Sequence, residues 1–288
     1  MNEILHRLVA GIPSLGSYAG VLNEIDAVLS DHRSTLFEVS LVIENDPDLT
    51  ARLLRLGNSA LFGFPCRIET VSETVSLIGI EQVKDLIAAS TVVEIFEGIP
   101  AELVNMESFL KHSLACGIAA RYLAMTRRMP KPEKFFVAGL LHDVGRLVLY
   151  SQAPELAQRV FREQHRLQGL LREAEKKVLG FDHTELGAEM LRAWNYPPNL
   201  LHTTRYHHRP MDAGTFQMEA SVVHIADILV NAMQLGSSGE QWVPALDPLA
   251  WERLGLPLSV LPGAVEIVEA QLDAVQQACF PTPAHRAS

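Results

Sequence analysis

Strand-like alternation of apolar and polar residues is scarce in this chain, and so are cysteine, basic side chains and long apolar runs. Cys66, Cys116 and Cys279 are spread over 288 residues with no CxxC pair. An odd number at such spacing indicates neither a disulfide framework nor a thiolate zinc knot, and a reducing compartment is expected. Lysine and arginine number 24 against 34 acidic residues, for a formal charge of −10. Such a surface repels a phosphate backbone and lacks the counterion-release drive of ordinary nucleic-acid binding, so nucleic acid is not an expected partner. No run of about 18 apolar residues occurs, and Met1-Asn2-Glu3-Ile4 leads into no basic-then-apolar leader. The expectation is a cytoplasmic protein, neither secreted nor membrane-spanning. The βα alternation of a phospho-acceptor receiver domain is missing as well.

What is present is helical periodicity. With 48% hydrophobic and 20% charged residues, the chain has enough apolar material for one large core or two packed lobes. Leu49, Leu53, Leu54 and Leu56 make one apolar helix face, and Leu186, Met190, Leu191 and Trp194 make another. Asp46 before Pro47 reads as an N-cap before a favoured first helical residue, and Thr70 with Glu73 fits a capping box. Gly79 and Gly180 read as helix stops. The fold class expected is all-α, a two-lobed helical bundle. Residues 1–100 form an N-terminal lobe ended by Gly98-Ile99-Pro100, and residues 101–235 a second helical lobe. Residues 236–288 form a C-terminal extension with a helix around Val260–Cys279 and a tail from Pro281 to Ser288. Within the second lobe, one helix is expected from Glu107 to Arg128. Another is expected from about Lys134 to Tyr150, passing through His142 and Asp143.

Chemistry is carried by a scattered series: His112, the pair His142-Asp143, His183, the pair His207-His208, and Asp227. One histidine on an apolar helix face is commonly a satisfied core residue, so the argument rests on the set. His112 shares a face with Phe109, Cys116, Ala119 and Leu123, and His142 lies a turn from Ala138 and Phe135. Both imidazoles should point inward, where unpaired polar groups cost about 1–3 kcal/mol each. Imidazole and carboxylate ligands suit iron, manganese or zinc, and a shared ion would remove much of that cost.

The order H…HD…H…HH…D, centred on Leu141-His142-Asp143-Val144-Gly145, resembles the HD superfamily of metal-dependent phosphohydrolases and their HD-GYP cyclic-dinucleotide relatives. More of the chain resembles the HDOD branch. The residues that carry this are Asp46 to Gly63, Ile68 to Gly79, Gly180 to Ala188, Trp194 before Pro197, and Tyr206-His207-His208-Arg209-Pro210. The resemblance covers roughly residues 10–230 and makes the second lobe HD-like. It implies a role in bacterial signal transduction, often beside or downstream of two-component systems and response regulators, through a signalling protein partner and usually without demonstrated catalysis. Carried over by position, His112, His142, Asp143 and Asp227 match the mononuclear HD pattern. His183, His207 and His208 match the extra ligands of binuclear relatives, with Asp143 as the residue that could bridge two ions. The implied cofactor is one or two divalent ions of iron, manganese or zinc.

The departures narrow the function. Arg209-Pro210-Met211-Asp212 follows the paired histidines and no Gly-Tyr-Pro occurs, which weakens cyclic-dinucleotide hydrolysis. Arg146 stands where those enzymes typically carry a lysine close to substrate phosphate. His6, His32, His165, His202, His224 and His285 match no ligand position. The favoured reading is a non-catalytic HDOD module acting through protein contacts. The alternative is a metal-dependent phosphohydrolase acting on a phosphate-containing small molecule, with Asp143 and Arg146 as its catalytic residues.

Overall fold

The computed structural model describes residues 3–12, 16–30, 35–96 and 99–279. His32, His285, Gly98 and the expected tail from Pro281 lie outside them. Among the described residues there are sixteen α-helices, three short 3-10 helices and no strand. In chain order they are α1 (Glu3–Ala10), α2 (Gly16–Ser30), α3 (Leu36–Glu44), α4 (Pro47–Gly57), α5 (Val71–Ile78), α6 (Ile80–Ile95), α7 (Met106–Thr126) and α8 (Glu133–Leu141). There follow α9 (Val144–Gln152), α10 (Pro154–Leu167), α11 (Leu171–Leu179), α12 (His183–Ala193), α13 (Pro198–Tyr206), α14 (Gln217–Met233), α15 (Pro248–Leu254) and α16 (Leu261–Cys279). The fold class is all-α. No helix of the described residues is long and apolar enough to cross a membrane.

The helices group into two compact units, Ser14–Ile95 with Glu269–Ser288, and Met1–Pro13 with Phe96–Val268. In the smaller unit the helix starts follow local chemistry. The Asp46 carboxylate accepts the Leu49 amide at 3.0 Å with Pro47 in the first turn of α4, and Thr70 with Glu73 closes a capping box on α5. Leu49, Leu53 and Leu56 of α4 are buried, as are Val71 and Val75 of α5 and Ile43 of α3.

In the larger unit α7 is the central element, buried along almost its whole length from Phe109 to Ala124 and packed on α8 and α14. Two glycines bring backbones together. A β-carbon on Gly139 of α8 would sit 2.7 Å from the Cys116 carbonyl oxygen and the Gly117 nitrogen of α7. One on Gly145 of α9 would overlap the His183 carbonyl oxygen and lie 2.6 Å from the Gly187 nitrogen of α12.

The single helix expected from Lys134 to Tyr150 is two. It breaks at His142-Asp143, where Asp143 takes φ −102° and ψ 12°. In a continuous helix, neighbouring residues diverge by about 100° around the axis, so His142 and Asp143 could not both face the same interior point. The break turns both inward, and it is compatible with the close seat of Gly145 on α12.

Candidate metal centre

Seven side chains from six helices and their ends meet inside the larger unit. His112 comes from the middle of α7, His142 from the end of α8 and Asp143 from the residue that opens α9. His183 is the first residue of α12, His207 and His208 follow α13, and Asp227 comes from α14. With Cys116 of α7 as an eighth, their ligand atoms form two groups of four, each with all atoms within 4.8 Å of one another. One is His112, Cys116, His142 and Asp227, and the other is Asp143, His183, His207 and His208. Every residue predicted from the sequence as a ligand is in one group or the other. Six of the seven are at most 3% exposed, and His208 is half-buried.

The ring tautomers follow from the partners of each Nδ1. A carbonyl oxygen can only accept, so His142 Nδ1 donates to Gly139 O at 2.7 Å and His207 Nδ1 donates to Thr204 O at 2.8 Å. His183 Nδ1 lies 2.6 Å from the buried Glu175 carboxylate, which also accepts the His183 amide. With each Nδ1 proton so fixed, the Nε2 atoms of these three rings aim at carboxylates. His142 Nε2 is 3.4 Å from Asp143 Oδ2 and 3.5 Å from Asp227 Oδ1, and His183 Nε2 is 3.1 Å from Asp143 Oδ1. His112 Nε2 is 3.3 Å from Asp227 Oδ1, and His207 Nε2 is 3.8 Å from Asp143 Oδ1. His142 Nε2, His207 Nε2 and Asp143 Oδ1 are buried without a hydrogen-bond partner. Imidazoles held at Nδ1 by carbonyls or a carboxylate, with converging Nε2 atoms, are the pattern of oriented metal ligands. The donor set fits a divalent ion of the iron, manganese or zinc class.

Electrostatics point the same way. The carboxylates of Asp143, Glu175 and Glu240 flank the Arg146 guanidinium, and the buried Asp227 carboxylate faces the imidazoles of His112 and His142 instead, so four carboxylates are set against one guanidinium. Without an ion, protons must supply the missing positive charge. Burial opposes it, yet Asp143 and Asp227 push His142 up to about 10, and Glu175 and Asp143 push His183 up to about 9. His207 moves the other way, down to about 3, because it is buried beside the charged His142 ring. Burial, Asp227 and Asp143 hold the Cys116 thiol well above its ordinary range.

Several participants carried no signal strong enough for the sequence reading to assign them. Cys116 was legible as a neighbour of His112 one turn on, but its sulfur lies 3.6 Å from His112 Nε2, within ligand reach. Asn231, four residues after Asp227, donates to Asp227 Oδ1 at 2.7 Å. Glu175 sits eight residues before His183 with no periodic relation to it. The loop after α14 supplies Ser238, whose hydroxyl accepts from Arg146 Nη1 and donates to Asp143 Oδ2. Tyr150 fixes that loop by donating to Ser238 O at 2.8 Å. Arg146 is 2% exposed, with its nitrogens 2.9 Å from Asp143, 3.4 Å from Glu175 and 3.9 Å from Glu240. Among the other histidines, His224 Nε2 accepts the Asp247 amide at 2.9 Å, His202 stacks on Tyr206 and meets Phe216 at a tilt, and His6 and His165 are exposed. None of these four belongs to either group.

A family model of the HDOD domain matches residues 15–210. The chain belongs to the HDOD family. The HDOD match ends before Asp227, Ser238 and Glu240, so part of the centre lies beyond it. A curated relative, an uncharacterized protein of Treponema pallidum (strain Nichols), is 27% identical over 200 residues, 68% of this chain and 37% of its own length. The chain thus spans little more than a third of that relative. A proposed phosphohydrolase of Shewanella amazonensis SB2B has a similar structure, with a TM-score of 0.73 at 23% identity over 96% of this chain and 97% of its own. So does a proposed signal transduction protein of Marinobacter aquaeolei VT8, with a TM-score of 0.70 at 18% identity over 96% of this chain and 64% of its own. At such identities the likeness is one of fold. That the two carry different functional names illustrates that this fold does not decide function.

Proposed function

We propose that this HDOD chain is a bacterial signalling module that acts through contacts with a protein partner, and that its HD-type centre holds metal for structure and not for turnover. The observation that carries this reading is the closure of the centre. Six of the seven ligand residues are at most 3% exposed, and Arg146, at the position where phosphate would be held, is buried and engaged with carboxylates. Two surface cavities of about 860 and 620 Å3 are lined by other residues. Catalytic metal sites keep an open coordination position, whereas structural ones are closed by protein ligands.

His112, His142 and Asp227 would hold one ion, and Asp143, His183, His207 and His208 a second. Such an ion supplies Lewis acidity and a lowered pKa for bound water where a position is open to it. Glu175, Gly139 O and Thr204 O fix the rings, Asn231 fixes Asp227, and Ser238 with Arg146 fixes Asp143 Oδ2. The half-buried His208 favours a second reading, a metal-dependent phosphohydrolase reached from that edge and acting on a phosphate-containing small molecule. The test is elemental analysis of protein purified without a metal-affinity tag, with assays on a phosphomonoester and a cyclic dinucleotide. The expected result is bound metal and turnover far below about 1 per second. Metal-dependent turnover at that rate, abolished by Asp143→Ala, would overturn the signalling reading in favour of the enzyme.

A further inference from the structure

The two groups of the centre differ in one atom type, and that difference has chemical content. The group around Asp143 offers three imidazole nitrogens and a carboxylate oxygen, whereas the group around Asp227 offers two nitrogens, an oxygen and the sulfur of Cys116. We infer that Cys116 is the fourth ligand of the Asp227 group, which makes that group a closed, thiolate-containing site for a zinc-type ion. The inference rests on the reading that the centre holds metal at all, and adds which residues close it and which ion it prefers.

Three independent placements support it. Cys116 follows His112 by one helical turn on the inward face of α7, is fully buried, and has its sulfur 3.6 Å from His112 Nε2. His142 Nε2 belongs to the same group, is 0% exposed and lacks a hydrogen-bond partner, with its Nδ1 proton tied to Gly139 O. Gly139 lies so close on the Cys116 backbone that no larger residue fits, which brings the end of α8, and with it His142, against this turn of α7. A cysteine serving only as a small apolar filler would not need two imidazoles and a carboxylate gathered at its sulfur.

Softness then sorts the ions. Zinc takes sulfur, nitrogen and oxygen ligands and favours four protein ligands when its role is structural. Thiolate ligands select zinc over manganese or magnesium, which prefer oxygen-rich sites. Binding replaces the S–H bond of Cys116 by a sulfur–metal bond, and the proton leaves to solvent.

The probe is cobalt(II), which takes zinc sites and gives an intense near-ultraviolet band only when a thiolate binds it. The full chain carrying Cys66→Ser and Cys279→Ser, stripped of metal, leaves Cys116 as its one thiol. Titration with cobalt(II) should raise that band to the intensity of one thiolate-bound cobalt per chain, whether or not the Asp143 group also fills, and zinc should then abolish it. Adding Cys116→Ser, or Cys116→Ala, should remove the band and weaken zinc binding at that group more than about 100-fold, beyond the loss seen when an orienting residue is removed. Circular dichroism reports whether these variants fold, and where they do not, the band in the Cys116-containing chain decides. Cobalt bound with only weak visible absorption, and unchanged by Cys116→Ser, would overturn the inference while leaving the metal centre standing. Failure of the stripped chain to take up cobalt or zinc would overturn both.

Discussion

The two nitrogens of His142 have separate tasks. Nδ1 is fixed as a donor to Gly139 O, and Nε2 faces Asp143 and Asp227. In the metal-free chain a proton on Nε2 answers those carboxylates, and the same holds at His183, so these rings stay charged up to about 10 and about 9. Their pKa values are raised above the ordinary 6.5, so the stability they contribute is fully present below 6.5 and is lost as pH rises through the folded values. His207, lowered to about 3, works in the opposite sense and costs stability only below 6.5. Thermal melts of metal-free protein should therefore show the midpoint falling between about pH 7 and about pH 10. Metal competes with these protons, so apparent affinity should rise over the same interval, and calorimetry should record protons released on binding. A metal-free midpoint that climbs with pH would contradict the assignment of charged His142 and His183.

The start of α12 shows how a short local motif serves the centre. Asp182 caps the helix, accepting from the Thr184 amide at 3.1 Å and its hydroxyl at 2.6 Å, with Lys176 Nζ 3.1 Å away, and His183 is the next residue. Asp182→Ala should cost about 1–2 kcal/mol, as loss of a strong cap does, and should also weaken metal binding by freeing the residue that carries an imidazole. Burial opposes it, but His183, Thr184 and Lys176 hold the Asp182 carboxyl well below its ordinary 3.8. Its contribution is present above 3.8 and fades as pH falls further, so the gap between wild type and Asp182→Ala in urea melts should close in acid. Gly145 tests the packing of α9 on α12. A methyl group there meets the His183 carbonyl and the Gly187 nitrogen, backbone atoms that cannot swing aside. Gly145→Ala should lower the unfolding free energy read from urea melts by at least the roughly 1–3 kcal/mol typical of overpacking, and remove metal with it. Helix starts were legible because a cap is a contact between near neighbours in sequence. The break at His142-Asp143 was not, because no contact between near neighbours marks it, and the close seat it is compatible with lies on α12, some forty residues away.

For the molecule as a whole, the centre ties α7, α8, α9, α12, α13 and α14 together through groups that cannot all be satisfied without positive charge. Any ion that binds only the folded chain stabilises it by mass action, by about 2.7 kcal/mol at a free concentration 100 times its Kd. Zinc added to stripped protein should raise the denaturation midpoint accordingly and protect amides of those six helices from hydrogen exchange. Protection confined to the neighbourhood of one ligand helix would argue against a shared centre.

The sequence by itself determined the helical class, the caps of α4 and α5, and the residue types available for metal. Each of these follows from spacings of three or four residues or from composition. Only the tertiary structure decided that His112, His142, Asp143, His183, His207, His208 and Asp227 meet, since they span more than a hundred positions and no local rule links them. It also decided the supporting roles of Glu175, Asn231, Ser238 and Glu240, and the burial of Arg146 among carboxylates. An isolated glutamate, serine or arginine has no periodic signature, and its role is fixed by what the folded chain places within about 3 Å of it, the range of a hydrogen bond.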